Sequence, residues 1–115
     1  MRYLLLIYEE NNRPEAKPED WQRMAEAYGA YGHWLASTGW LLGGEALADA
    51  SDATTVSVRD GKRIVTDGPF AETKEILGGY YLINAPDLDA AIEAAARIPG
   101  ASTGKVEVRP ILDMP

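Results

Sequence analysis

The chain contains no cysteine. Disulfides, thiolate metal sites and cysteine nucleophiles are excluded together, and the absence fits a reducing compartment. Histidine is almost missing too: His33 stands alone, and the carboxylates are spread along the chain without ligand spacing. Neither a metal site nor a cofactor is therefore expected. Basic clusters are also lacking. Eleven Lys and Arg face 18 Asp and Glu, giving a net charge of -7 and a pI of about 4.6. Affinity for phosphate backbones rests on concentrated positive charge, so nucleic-acid binding is excluded as an expectation. No apolar run approaches transmembrane length. The N-terminal "MRYLLLIYEE" is too short for a signal core with a cleavage site and runs straight into acidic residues. The expectation is a cytoplasmic protein with no membrane contact.

What is present is an ordinary globular composition, 46% hydrophobic and 25% charged, in a chain whose length implies one domain over residues 1–115. Its core is small enough that a shared interface would help its stability.

Hydrophobic patterning supplies the element order. "RYLLLIY" is apolar on both faces and reads as a central strand. "NNRPEAKP" is a polar connection, and Pro18, Glu19 and Asp20 suit a helix start. Trp21, Met24, Tyr28, Tyr31 and Leu35 then keep the spacing of one helix face, and Gly39 supplies the stop. "WLLGGEALAD" is ambiguous, a short strand bent at its glycine pair being one reading. "TTVSVR" alternates, Asp60-Gly61 is a type I′ hairpin signal, and "KRIVT" returns. "YYLINA" is again apolar on both faces. Asp87 can cap a second helix, "LDAAIEAAARI", with Leu88, Ile92 and Ala95 expected on its inner face. "KVEVRPIL" closes the chain as a strand, and Pro110 places its end at a sheet edge.

This order predicts an α+β fold: a ferredoxin-like βαββαβ arrangement with an added hairpin, both helices on one face of an antiparallel sheet. Two helices cover one side of the sheet only. The strands that are apolar on both faces therefore need a second cover, and a second copy of the sheet supplies it. A homodimer through sheet faces is expected, with Tyr81 and Ile83 as candidate partner-facing residues.

His33 is the obvious general base by residue type. At about 100° per residue, however, it falls opposite the helix's apolar stripe, and no acid one turn earlier orients it. It reads as a surface residue. No nucleophile elbow introduces serine-type catalysis. The glycine pairs at 43–44 and 78–79 have no phosphate-loop pattern and mark bends or close backbone approach. Trp21, Tyr28 and Tyr31 read as packing, whereas Trp34 and Trp40 are candidates for the mouth of a site.

"TDGPFAETKEILGG" is the segment where chemistry concentrates. Asp67-Gly68-Pro69 is explicable as a turn, with Phe70 plugging the loop and "ETKE" as a solvated charge run. Its functional reading is a loop over an apolar pocket that offers Asp67, Glu72 and Lys74 to a small molecule. A carboxylate beside apolar walls can act as a base. A nearby lysine can hold an anion or a developing enolate.

"VTDGPFAETKE", "LGGYYLI", "DLDAAIEAAARIPGA" and "VEVRPI" together resemble the DGPF branch of the YCII-related family, over nearly the whole chain. The resemblance implies the ferredoxin-like fold and a dimer of the αβ-barrel type. It implies a family that includes small-molecule enzymes. With the residues above, the leading expectation is a cofactor-independent enzyme or binder of small, partly apolar or anionic molecules, its site in the cleft between sheet and helices that the DGPF loop closes. Asp67 would be the catalytic carboxylate, and Glu72 and Lys74 would be ligand-binding. It also implies an alternative, a non-catalytic dimeric module associated with an extracytoplasmic-function sigma factor. The His–Asp pair of the family's dehydrochlorinase-like branch does not transfer, because "ARIPGA" stands where that branch carries its Asp.

Overall fold

A computed structural model describes residues 1–10 and 17–115. Six of the residues read as the first polar connection, 11–16, lie outside these. The order is β1 (Arg2–Glu10), α1 (Pro18–Thr38), β2 (Leu41–Ala46), β3 (Thr54–Arg59), β4 (Lys62–Asp67), β5 (Glu75–Asn84), α2 (Leu88–Ala96) and β6 (Lys105–Pro110). Short 3-10 turns occur at Ala50–Asp52 and Pro99–Ser102. β2, β5, β1 and β6 form one antiparallel sheet in that spatial order. With the hairpin set aside, this is the ferredoxin-like order, the first and third core strands lying side by side at the centre. β3 and β4 pair only with each other and form a separate two-stranded ribbon.

Local chemistry explains the element ends. α1 begins with Pro18 in its first turn, and the Asp20 carboxylate accepts from the Lys17 N–H at 3.1 Å. It ends at Gly39, whose φ of 77° is left-handed. The Asp87 side chain accepts from the Ala90 N–H at 2.8 Å and starts α2. Asp60 and Gly61, with φ of 52° and 74°, form the tight turn between β3 and β4. Pro110 ends β6, an edge strand, as expected.

The core lies between the sheet and both helices. Tyr3, Leu5 and Ile7 of β1 and Ile83 of β5 point to it, meeting Tyr31 and Leu35 of α1. α2 corrects the sequence reading. Leu88 and Ile92 are exposed, and the inner face is Ala91, Ala94 and Ala95, followed by Ile98. Small side chains let α2 sit close to the sheet, and that proximity leaves no room for the longer ones.

The opposite sheet face carries Leu4 and Leu6, paired with Leu82 and Tyr80 across β5. These four side chains are only half-buried. The other side of β5 holds a second correction: Ile83 is fully buried and Tyr81 packs on the core, so neither lies on the open sheet face. The alternation of the strand puts their neighbours Tyr80 and Leu82 on the open face instead.

Candidate functional site

The two halves of α1 meet the sheet differently. Tyr31 and Leu35 are buried in the core, while Met24 and Tyr28 are half-buried and Trp21 is 58% exposed. Under the N-terminal half the helix stands off the sheet, and a cleft of about 830 Å³ opens there. Trp21, Met24 and Tyr28 form its helical wall. Ile7 and Glu9 of β1, Gly44 of β2 and Ile76–Tyr81 of β5 form the sheet side, and residues 47–49 close one end.

Missing side chains shape this space. A Cβ at Gly44 would lie 2.8 Å from the Tyr80 carbonyl oxygen and 2.8 Å from Cδ1 of Tyr81. The β1–β5 register slips between Ile7 and Tyr8, leaving Gly78 as an unpaired bulge. A Cβ at Gly78 would come 3.0 Å from Cδ of Glu9. At Gly100 an added Cβ would meet the Tyr28 hydroxyl at 2.9 Å. Three glycines from three segments thus make room for Tyr81, Glu9 and Tyr28. The glycine pairs mark a bend and close approach as expected, and the groups they admit belong to the cleft.

The cleft is both aromatic and acidic. Glu9, Glu10, Glu45 and Asp49 line it, and among the described residues no Lys, Arg or His does. The Tyr81 ring meets Tyr31 edge-on at 5.2 Å. Burial, and secondarily Tyr28, raise the Tyr81 phenol above its ordinary pKa. At neutral pH it is therefore a hydrogen-bond donor. Outside the cleft lining, where Glu75 pairs with Glu10, Lys105 Nζ donates to Glu75 Oε1 at 2.6 Å. That bond, helped by the charges of Glu75 and Glu10, raises the Lys105 pKa against a small desolvation cost. Among the described residues no three His, Cys, Asp or Glu side chains are placed to hold a metal ion.

The residues singled out by sequence fall elsewhere. Asp67 ends β4 and is exposed, as are Glu72 and Lys74. None of the three lines the cleft. Phe70 is 89% exposed and plugs nothing. Gly68 has a φ of 92°, so the turn chemistry of this segment is present. Lys74 precedes Glu75, which pairs across the sheet with Glu10 of the cleft wall. The segment thus joins the sheet at the cleft's edge.

His33 is exposed, as its helical phase requires. Trp34 and Trp40 do not line this cleft, although Trp34, with Tyr31, Arg97 and Pro99, lines a second, shallower pocket of about 450 Å³. The two Trp rings stack edge-to-face at 6.2 Å and pack against the core, with the Arg97 guanidinium 4.2 Å over the Trp34 ring. Trp21, read as packing, is instead an exposed wall of the cleft, while Tyr28 packs against the core as expected and also lines the cleft. A spacing pattern cannot show where a helix leaves a sheet.

A four-stranded antiparallel sheet in this order, with two helices on one face and an open cleft beside the first, defines a ferredoxin-like α+β protein. The family model for the YCII-related domain matches residues 1–115. An uncharacterized protein of Rhizobium meliloti (strain 1021) is 38% identical over 115 residues, covering 96% of this chain and 92% of that protein. The chain belongs to the YCII-related domain family. No helix among its described residues is long and apolar enough to cross a membrane.

Proposed function

We propose that this protein is a homodimeric, cofactor-independent binder of small, partly apolar molecules, with its site in the cleft beneath the N-terminal half of α1. One observation carries the reading: an open space of about 830 Å³ walled by Trp21, Met24, Tyr28 and Tyr81. That is the size and lining of small-molecule sites. The carboxylates around it disfavour the anionic ligands anticipated from sequence and favour neutral or cationic ones. If the bound molecule is transformed, Asp67 is the proton-transfer group and Lys74 the charge-stabilising one, with Glu72 contributing to binding. Support for this is the entry of their segment into the sheet at Glu75, opposite Glu10 of the cleft wall, which places the segment beside the cleft. The solvent exposure of Glu72 and Lys74 equally favours the rival, a sensing module of the DGPF branch that contacts a sigma factor.

A thermal-shift screen of neutral and cationic metabolites, followed by Trp fluorescence titration, tests the reading. A hit should lose its effect in Tyr28→Ala. Asp67→Asn should melt near wild type yet lower turnover by roughly a hundredfold or more, as general-base removal does. Unchanged binding in Tyr28→Ala removes the cleft from the proposal. Unchanged binding and turnover in Asp67→Asn and Lys74→Met return that segment to a structural turn.

A further inference from the structure

The β3–β4 ribbon has no structural reason to stand alone. An isolated two-stranded hairpin is marginal in water, and among the described residues this one packs extensively against no other element. It is tied down at its base, where the Gly68 N–H donates to the Ala53 carbonyl at 2.7 Å. Val56 pairs directly with Val65, and Val58 stands beside them on the same face. The three are 58%, 58% and 59% exposed respectively. The tip carries Arg59, Lys62 and Arg63, three of the chain's eleven cationic side chains. The Cα radius of gyration is 16.3 Å, against about 13 Å for a compact domain of this length. The ribbon therefore holds apolar and basic groups away from the chain's own core.

We propose that the β3–β4 hairpin is an arm that seats on a second copy of this chain, its basic tip against the acidic rim of that copy's cleft, so that each cleft is completed by its partner. Charge complementarity identifies the occupant. Glu9, Glu10, Glu45 and Asp49 line the cleft, and the tip, with two arginines and one lysine against the single acid Asp60, is its opposite in net sign. Two copies with a net charge of -7 each repel unless opposite charges are brought into register. A two-fold pair uses both arms at once, so the interface buries twice the area that one arm covers. Six residues per strand give the arm a reach of roughly 20 Å. The inference rests on the homodimer proposed above but names a surface separate from the open sheet face.

The cysteine-free sequence makes the test direct. Lys62→Cys and Ala48→Cys, one at the arm's tip and one at the cleft, are prepared as separate chains, mixed and treated with a short bismaleimide. The expected result is a tip-to-cleft cross-linked pair far above the yield of either variant alone, because only different chains can join. Val56→Glu with Val65→Glu should shift sedimentation toward monomer with little loss of secondary structure, since neither valine supports its own chain's core. Background-level cross-linking in a protein that sediments as a dimer overturns the arm and leaves the sheet-face dimer standing. A wild type that sediments as a monomer at micromolar concentration overturns both. Small-molecule binding that survives in the monomeric valine variant, at wild-type affinity, overturns the claim that the partner completes the cleft.

Discussion

The Tyr31 hydroxyl donates to the Ala94 carbonyl oxygen at 2.8 Å, and the bond is buried. It joins the first helix to the second across the top of the sheet, and it fixes α1 where its N-terminal half begins to overhang the cleft. Burial, with Tyr81 and Tyr28 adding to it, raises the Tyr31 phenol well above its ordinary pKa.

Tyr31→Phe should therefore cost about 1 kcal/mol at neutral pH, since one buried carbonyl loses its donor. The penalty should then shrink as alkali is added. A phenol whose folded pKa is raised contributes stability in full below its unfolded value of about 10, and that stability is lost as pH rises toward the folded value. Urea midpoints of wild type and variant between pH 7 and 11 check this. A penalty that stays constant across the range would show that Tyr31 ionises as readily folded as unfolded.

Gly68 should be needed for shape. Its φ of 92° is one that L side chains rarely adopt, and both of its backbone groups are used. Its N–H donates to Ala53, and its carbonyl accepts from the Thr55 hydroxyl at 2.8 Å. Gly68→Val should lower stability by about 1 kcal/mol or more. Because no heavy atom lies within 4 Å of an added Cβ, Gly68→Ala should lose much the same amount through backbone strain alone. Equal melting of wild type and both variants would remove the strain argument.

The two sides of β5 should respond oppositely to charge. Ile83→Asp puts a carboxylate into the fully buried core and should abolish folding, because an unpaired buried charge costs several kcal/mol. Leu82→Asp, one residue earlier and on the open face, should keep the circular dichroism spectrum but sediment as a monomer. A dimeric Leu82→Asp would show that the open sheet face is not the interface.

His33→Ala should change stability by less than about 0.5 kcal/mol, as exposed positions without partners generally do. The ligand-induced thermal shift of any cleft-binding molecule should be unaltered. A large loss of turnover at unchanged melting temperature would make the histidine catalytic.

The sequence by itself determined the parts that local chemistry controls. Pro18 and Asp20 start α1, Gly39 stops it, Asp60-Gly61 turns the hairpin and Asp87 caps α2, because each acts on backbone groups within a few residues. The two-faced apolar strands determined the central pair, β1 and β5, and with it the ferredoxin-like order. Only the tertiary structure decided which apolar stripe of α2 turns inward. Leu88 and Ile92 rank higher in hydrophobicity, yet a close helix–sheet approach admits only Ala91, Ala94 and Ala95. It alone decided that Tyr80 and Leu82, not Tyr81 and Ile83, lie on the open face, since alternation fixes two sides but not which one the helices cover. The cleft was illegible for the same reason. Gly44, Gly78 and Gly100 lie far apart in the chain, and the space they leave for Tyr81, Glu9 and Tyr28 exists only once the strands have paired and α1 has been laid across them.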